Sequence, residues 1–310
     1  MTIFTIVTPC FNEAELIGMC LSSLNNKNFP RNQFEIIVVD NGSEDASVEI
    51  SQALADRTIV YPDGKVGAVR NKGASEAKGQ NLVFIDADCT LDNDWLNRAL
   101  KLLSRDANTA FGGGCLLPPN ASWIEKCWLL EGRDGNTLPK ELIGCSIVTP
   151  RKVFKDIGGF DECMASGEDS ELSARLKSAG YIVNMTRCLN VTHWGNAKTQ
   201  FDFFNRQAWH AEQYKKSWRS NIKDPIFLLA LVFCTSTVAT LVLLPIGSTK
   251  TFLGIILLAV APSALTVKRY FRTNRGPHNI KEALCSYYLD ALYLTGRAWG
   301  LLRIALERVK

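Results

Sequence analysis

A long apolar run near the C-terminus constrains the fold of this chain more than any other feature of its sequence. Ile226 to Ile246 contains no charged residue, and a helix of these 21 residues, at about 1.5 Å per residue, approaches the roughly 30 Å of a bilayer's hydrocarbon core. A second uncharged run, Thr251 to Val267, follows after a short turn at residues 247–250. The two runs predict a helical hairpin embedded in a membrane. The alternatives are a helix pair buried in a soluble domain and a re-entrant hairpin that does not cross.

Basic residues flank both runs. They are Lys215, Lys216, Arg219 and Lys223 before the first run, and Lys268, Arg269, Arg272 and Arg275 after the second. The positive-inside rule places both flanks in the cytoplasm. The ten cysteines include no C-x-x-C pair, which favours a reducing compartment, and the start of the chain does not resemble a secretory signal. We therefore expect a protein of the cell inner membrane whose N-terminal half is cytoplasmic.

The N-terminal half alternates short β-branched runs with amphipathic segments. The predicted strands are Ile3 to Thr8, Phe34 to Asp40, Arg57 to Tyr61 and Leu82 to Asp86. Apolar residues recur at helical spacing between residues 16 and 24 and between residues 95 and 103. Strands that alternate with helices predict an α/β fold with a mainly parallel sheet covered on both faces.

These changes in composition divide the chain into four regions. They are an α/β domain at 1–200, an amphipathic membrane-proximal helix at 201–224, the transmembrane helical hairpin at 225–268, and a C-terminal amphipathic, interfacial helix at 269–310. Phe201 to Trp218 and Ile280 to Val309 mix aromatic, leucine and basic residues, as helices in the lipid headgroup layer do. Two ordinary helices packed on the α/β domain are the alternative. The net charge of +4 is too small to indicate a nucleic-acid partner.

Two carboxylates end one of the predicted core strands. Asp86-Ala87-Asp88 follows the apolar run 81–85, so both acids are expected at the carboxyl edge of the sheet, where open α/β sheets bind ligands. Hard divalent cations such as Mn²⁺ and Mg²⁺ take oxygen ligands and leave positions open for substrate phosphates. The pattern predicts a metal and phosphate site. Two solvated aspartates that cap the next helix are the alternative.

Polar clusters at other strand ends and turns extend this pattern. They are Thr8-Pro9-Cys10-Phe11-Asn12-Glu13, Val39-Asp40-Asn41-Gly42-Ser43, residues 64–73, Gly158-Gly159-Phe160-Asp161 and Gly167-Glu168-Asp169. Their order and spacing resemble the family 2 glycosyltransferases of the GT-A fold, in their membrane-anchored bacterial form. The resemblance covers roughly residues 1 to 195. It implies a Rossmann-like nucleotide-diphospho-sugar transferase domain.

The resemblance implies a site for a nucleotide-sugar donor. Pro9, Asn12 and Glu13 would line the pocket for the base and ribose. Asp40 would accept a hydrogen bond from the base, and Arg70 would reach the diphosphate, since a guanidinium suits phosphate oxygens. The alternatives are a simple turn at Asp40 and a surface charge on a helix at Arg70.

The same resemblance assigns the metal ligands. Asp88 would bind Mn²⁺ or Mg²⁺ directly, and Asp86 would contact the ribose or reach the metal through water. His193 would be a third ligand, with a purely structural histidine as the alternative. The cation would neutralise the charge that develops on the departing nucleoside diphosphate.

The resemblance also implies that Glu168 and Asp169 act on the acceptor. An acceptor hydroxyl must lose its proton as it attacks the anomeric carbon, which requires a nearby base. The resemblance makes Asp169 that base and gives Glu168 an orienting role. A direct attack would invert the anomeric configuration. Capping of the following helix is the alternative, and both roles could hold together.

The expected function is single-sugar transfer by an inverting, metal-dependent glycosyltransferase. The donor is expected to be a UDP sugar rather than a GDP sugar. The acceptor is expected to be a polyprenyl-phosphate or lipid-linked saccharide in cell-surface polysaccharide synthesis, with membrane lipids as further partners. Asn205 to Trp209 only loosely matches the Gln-x-x-Arg-Trp motif of the family's processive members, which favours transfer of one sugar.

Two other functions remain as alternatives. A non-catalytic membrane scaffold could retain the same fold. A sugar-nucleotide nucleotidyltransferase would need a Gly-rich, basic loop directly after the first strand, and Thr8 to Glu13 is not such a loop. A dehydrogenase is excluded because the G-x-G-x-x-G fingerprint is missing at that position.

Overall fold

The computed structural model describes residues 1–26, 28–133, 137–215, 221–222, 224–244 and 250–307. The chain forms two compact units. The N-terminal unit comprises Met1–Pro119 and Glu131–Gly195, and the C-terminal unit comprises Asn120–Leu130 and Asn196–Lys310. Residues 120–130 therefore belong to the C-terminal unit, although the sequence places them in the N-terminal half.

The described strands all lie in the N-terminal unit, whereas the described helices are divided between the two units. The described strands are β1 (Phe4–Cys10), β2 (Phe34–Asp40), β3 (Arg57–Val60), β4 (Asn81–Phe84), β5 (Cys89–Thr90), β6 (Thr109–Gly112), β7 (Cys115–Leu116), β8 (Ile147–Pro150), β9 (Ile182–Met185) and β10 (Val191–His193). The described α-helices are α1 (Ile17–Asn25), α2 (Ser47–Leu54), α3 (Val66–Ser75), α4 (Trp95–Leu103), α5 (Trp123–Trp128), α6 (Arg151–Asp156), α7 (Glu168–Ser178), α8 (Gln200–His210), α9 (Pro225–Leu243), α10 (Lys250–Thr273) and α11 (Ile280–Glu307).

The N-terminal unit is built on a seven-stranded sheet in the order β3-β2-β1-β4-β8-β6-β9. β1 pairs in parallel with β2 and β4, as predicted for a mainly parallel sheet. β8 is the exception, because Ile147 at its start pairs with Phe84 at the end of β4 and the two strands are antiparallel. The chain between β6 and β8 therefore returns at the edge of the sheet where β4 delivers Asp86. A separate three-stranded sheet has the order β5-β10-β7.

Apolar clusters cover both faces of the larger sheet. Side chains alternate along β2, so Ile36 and Val38 belong to one buried cluster while Ile37 and Val39 belong to the other. All four are fully buried. Each such side chain contributes about 1.5–3 kcal/mol of burial free energy, so the central strands form a rigid platform for the residues at their ends.

Two helices of the C-terminal unit are long and apolar enough to cross a membrane. They are α9 and the part of α10 from Gly254 to Thr273, and only 28% and 17% of their apolar windows are buried inside the protein. A core helix of a soluble protein would be mostly buried, so this exposure favours a membrane environment. The turn residues 247–249 lie outside the described residues, as do Lys216, Arg219, Lys223, Trp218 and Val309.

α11 packs closely against α8 through two glycines. A Cβ atom added to Gly296 would lie 2.8 Å from the carbonyl oxygen of Phe204, and one added to Gly300 would lie 2.6 Å from that of Ala208. The G-x-x-x-G spacing therefore lets the two backbones approach as only small residues permit.

A buried ion pair ties the last two helices together. Arg269 of α10 lies 2.9 Å from the carboxylate of Asp290 on α11. Arg269 also donates to the carbonyl oxygens of Cys127 and Trp128 at 3.0 and 2.9 Å. This residue therefore joins α10, α11 and α5, in addition to its predicted place in the basic flank.

Candidate active site

A cavity of about 230 Å³ opens at the carboxyl edge of the larger sheet. Its walls include five of the residues predicted from the sequence, which are Pro9, Glu13, Arg70, Asp86 and Asp88. They converge because β1 and β4 are adjacent parallel strands and end at the same edge. The N-terminal unit therefore gathers the donor-site and metal-site candidates around one cavity.

Asp88 and His193 come together through the smaller sheet. β10 is antiparallel to β5, so His193 lies opposite Cys89, the residue after Asp88. His193 Nε2 is 3.4 Å from Asp88 Oδ2, and ligand atoms of Asp88, Cys89 and His193 all lie within 4.8 Å of one another. A carboxylate and an imidazole beside an open cavity fit a divalent cation that must also bind phosphate oxygens.

Cys89 lies beside these two candidate ligands, although it belongs to none of the sequence motifs. Burial is the main cause that raises the pKa of its thiol well above the usual value, and the neighbouring Cys145 and Asp88 act in the same direction. The thiol is 3.4 Å from Asp88 Oδ1, to which it donates. Cys89 is therefore a neutral partner of Asp88 in this structure.

Gly195 brings the backbone against Asp88. A Cβ atom at this position would lie 1.9 Å from Asp88 Oδ2, a distance that no real contact reaches. The Trp194 amide donates to the Asp88 carbonyl oxygen at 2.8 Å. The segment after β10 therefore fixes both the backbone and the side chain of Asp88, and only glycine fits at residue 195.

Arg70 links Asp86 on the cavity wall to Glu168 at the start of α7. Its two terminal nitrogens each lie 2.6 Å from a carboxylate, Nη2 from Asp86 and Nη1 from Glu168. The Arg70 side chain is only 3% exposed, so it is not the surface charge of the alternative interpretation. Burial alone would lower its pKa, but the two carboxylates raise the pKa above the ordinary arginine value. Contact between Arg70 and a donor diphosphate stays a prediction.

Asp169 lies at the start of α7, next to the buried Glu168. Its carboxylate accepts hydrogen bonds from the backbone amides of Gly144 and Ser170, at 3.0 and 2.6 Å. Gly144 also touches Arg70, because a Cβ atom there would be 2.3 Å from Arg70 Nη2. The backbone at Gly144 therefore contacts both Asp169 and Arg70 and fixes their relative positions. Glu168 and Asp169 also lie in the first turn of α7, as the capping alternative requires.

Asp40 and Asn12 shape a loop beside the cavity. The Asp40 carboxylate is fully buried and accepts hydrogen bonds from the Gly42 and Ser43 amides at 3.0 and 2.8 Å. Asn12 has a φ of 53°, and its side-chain oxygen accepts from the Glu44 amide at 2.8 Å. The structure therefore places Asp40 in the turn that was its alternative, while Asn12 bonds to the segment after that turn. Contact of either residue with a nucleotide base stays a prediction.

Comparison with known proteins assigns a family to one segment of the chain. Residues 5–123 match the family description "Glycosyl transferase family 2". The chain carries a family 2 glycosyltransferase domain. All of the strand-end residues Pro9, Asn12, Glu13, Asp40, Arg70, Asp86 and Asp88 fall inside the matched segment.

Curated relatives agree with this glycosyltransferase domain. The chain is 29% identical to Glycosyltransferase AglE of Haloferax volcanii over 57% of its own length and 62% of that protein. It is 27% identical to Succinoglycan biosynthesis protein ExoA of Rhizobium meliloti over 62% of its length and 63% of that protein. The chain therefore spans less than two thirds of these relatives.

A solved structure confirms the predicted fold class. The mannosyltransferase PcManGT from Pyrobaculum calidifontis, solved with GDP-Man and Mn²⁺, superposes with a TM-score of 0.59 at 18% identity. The match covers 97% of this chain and 87% of PcManGT. At this identity the likeness establishes the GT-A fold and leaves donor and acceptor open.

Proposed function

We propose that this glycosyltransferase moves one sugar from a nucleoside diphosphate sugar to a membrane-associated acceptor, with inversion at the anomeric carbon. The observation that carries the proposal is the Asp88–His193 pair at 3.4 Å, in which Asp88 lines the same cavity as Asp86 and Arg70. It combines a place for a cation with a place for a diphosphate at the edge where the fold binds its ligands.

The residues present fit a divalent cation. Asp88 and His193 would hold Mn²⁺ or Mg²⁺, which supplies positive charge that stabilises the departing nucleoside diphosphate. Arg70 keeps the Asp86 carboxylate pointing to the same cavity through its 2.6 Å ion pair. Binding of Mn²⁺ by PcManGT supports the proposal that the reaction depends on a metal.

The cavity wall at Pro9 and Glu13 is the proposed binding site of the nucleotide. A UDP sugar is the donor that the family resemblance favours. A GDP sugar is the second candidate, because PcManGT was solved with GDP-Man. The two differ in the size of the base that the loop around Asn12 and Asp40 must accept.

Asp169 is the proposed base for the acceptor hydroxyl. Its two backbone hydrogen bonds orient the carboxylate, and its side chain is only partly buried, so an acceptor can approach it. Glu168 is buried against Arg70 and positions this end of α7. Proton removal during a single direct displacement inverts the sugar.

The acceptor is proposed to be a polyprenyl-phosphate or a lipid-linked saccharide used in cell-surface polysaccharide synthesis. The two membrane-compatible helices support a site close to lipid headgroups, and the name of the relative ExoA supports the polysaccharide. We place the protein in the cell inner membrane, with the catalytic domain in the cytoplasm, where nucleotide sugars are made.

The proposal is tested by nucleotide release from detergent-purified protein. UDP, GDP and dTDP sugars are supplied with Mn²⁺ or Mg²⁺ and a membrane lipid extract. We expect release from one donor, abolished by Asp88→Ala and reduced about 10²–10⁴-fold by Asp169→Asn, which removes a general base. The exposed Asp63→Asn variant is the matched control, because asparagine also tolerates the φ of 65° at that position.

Two outcomes would favour the alternatives. Absence of release with every donor, together with no thermal shift by UDP or GDP, would favour a non-catalytic scaffold. Release of pyrophosphate from a nucleoside triphosphate and a sugar phosphate would favour a nucleotidyltransferase.

A further inference from the structure

A second cavity lies within the C-terminal unit, among α5, α8 and α11. Its volume is about 370 Å³, which is within the range of small-molecule sites. Trp128, Phe203 and Tyr293 form an aromatic wall, with the rings of Trp128 and Tyr293 stacked at 5.2 Å. Arg206, His210 and Arg297 are among the other residues of the lining.

Arg297 is a buried cation in this cavity. The residue is 8% exposed, and among the described residues its guanidinium has no carboxylate within ion-pair distance. Its Nη1 donates to the His210 carbonyl oxygen at 3.1 Å, while Nε has no hydrogen-bond partner in the part of the chain that the structure describes. The Tyr293 and Tyr214 rings lie 5.2 and 5.9 Å away. These contacts leave a full positive charge facing the cavity.

The other charged groups do not cancel this charge. Glu125 is the one acid on the described lining, and its Oε2 accepts from the Ser122 amide at 2.7 Å as part of a helix cap. Asp224, which influences Tyr293, accepts from the Tyr214 hydroxyl at 2.9 Å and caps the start of α9. Both carboxylates are engaged in helix caps, and among the described residues neither forms an ion pair with Arg297.

The pKa of His210 is affected by the same positive charges. Burial is the first cause that lowers the pKa of its ring to about 4, and the charges of Arg297 and Arg206 add to that effect. The ring is therefore neutral at pH 7 and offers a hydrogen bond without further charge.

We propose that this cavity binds a phosphate or diphosphate group. A planar guanidinium matches phosphate oxygens, and an anion would compensate the buried charge of Arg297. The aromatic wall gives the organic part of a phosphate ester an apolar surface. The phosphate can come from a membrane lipid or from a soluble molecule, and this assignment does not depend on the proposed glycosyl transfer.

Binding to the detergent-purified full chain tests the proposal and separates the two sources. Inorganic phosphate and pyrophosphate represent the soluble source. Nanodiscs with phosphatidic acid, compared with nanodiscs of phosphatidylcholine alone, represent the lipid source. Calorimetry and the shift in melting temperature measure binding. We expect saturable binding of at least one phosphate probe, weakened about tenfold or more by Arg297→Gln, which removes a charge-assisted contact.

Two further variants make the result interpretable. Ala197→Phe keeps every charge but fills the cavity from its lining, so it should weaken binding as well and carries the test if Arg297→Gln does not fold. Arg303→Gln removes an exposed arginine of the same helix and should bind like wild type. The proposal is overturned if no probe binds saturably, or if binding is the same in wild type, Arg297→Gln and Ala197→Phe. Tighter binding to phosphatidic acid than to inorganic phosphate identifies the lipid source, and the reverse identifies the soluble one.

Discussion

At the scale of single residues, the candidate metal site depends on a glycine that carries no chemistry. Gly195→Ala would place a Cβ atom 1.9 Å from Asp88 Oδ2, so the carboxylate must move. A displacement of about 1 Å at a reacting centre costs roughly 100-fold in rate, and we expect nucleotide release to fall by that factor. In a Mn²⁺ titration, the same variant should need a higher Mn²⁺ concentration to reach half of its maximal activity.

Gly18→Ala is the matched control for this substitution. Its added Cβ would meet Ile50 at an ordinary 3.5 Å inside α1. We expect wild-type activity and equal or slightly higher stability, because alanine favours a helix over glycine. Equal activity of Gly195→Ala and Gly18→Ala would contradict the role assigned to Asp88.

Arg70 gives a residue-scale prediction about stability. Arg70→Met removes the partner of two carboxylates, of which Glu168 is only 7% exposed in its side chain. Breaking a buried pair on one side typically costs about 3–5 kcal/mol, and we expect a loss of that size in urea unfolding at pH 7. The exposed Arg105→Met should change the free energy of unfolding by no more than about 0.5 kcal/mol. If Arg70→Met changes the free energy of unfolding as little as Arg105→Met, the ion pairs of Arg70 with Asp86 and Glu168 do not stabilise the fold.

Single residues also mark the limit of what the sequence could predict. Pro9, Glu13, Asp86 and Asp88 meet because they follow core strands whose ends must share one edge. Asp40 bonds to the backbone of its own turn, as short polar side chains readily do, and Asn12 bonds to the Glu44 amide of the same turn region. No sequence pattern distinguishes these backbone contacts from contacts with a ligand. The contacts of Cys89 with His193, and of Gly195 with Asp88, arise from pairing across more than one hundred residues.

At the scale of elements, His210 at the end of α8 is predicted to make the stability of the protein depend on pH. The folded pKa of His210 is about 4, below its ordinary 6.5, chiefly because of burial and then because of Arg297 and Arg206. The unfolded chain therefore binds more protons between these values, and stability falls as the pH drops from 6.5 towards 4. The full effect is on the order of 3 kcal/mol.

His210→Gln removes this titration. In phosphate-free buffer, urea unfolding at pH 7 and pH 4 should differ less in His210→Gln than in wild type, by up to on the order of 3 kcal/mol. The exposed His278→Gln provides the comparison and should leave the difference unchanged. Identical pH dependence in all three proteins would contradict the burial of the His210 ring.

The elements themselves were predicted with uneven success. β2 has its predicted bounds, since a run buried on both faces is unambiguous. The sequence from Tyr181 to Thr192 is strand-like throughout, but the structure has two strands there, β9 and β10, separated by the 3₁₀ turn Arg187–Leu189. β10 belongs to a different sheet from β9, and only long-range pairing decides that, so periodicity could not predict it.

At the scale of the whole molecule, the basic flanks of the apolar helix pair predict which side of the membrane the N-terminal unit occupies. Cys163 and Cys188 are exposed thiols of that domain. A membrane-impermeant maleimide should label them in inverted vesicles and not in sealed right-side-out vesicles, because the basic flanks favour the cytoplasmic side. The double variant Cys163→Ser, Cys188→Ser should be labelled in neither preparation.

The same double variant distinguishes a crossing hairpin from a re-entrant one. Both arrangements put the two flanks on one side, so only the turn separates them. Adding Ser248→Cys places a thiol between the two apolar helices. Labelling from the outside of right-side-out vesicles is expected if α9 and α10 cross the bilayer, whose hydrocarbon thickness of roughly 30 Å matches helices of this length. Labelling only in inverted vesicles would establish the re-entrant form, and release of the protein by alkaline carbonate would refute membrane embedding altogether.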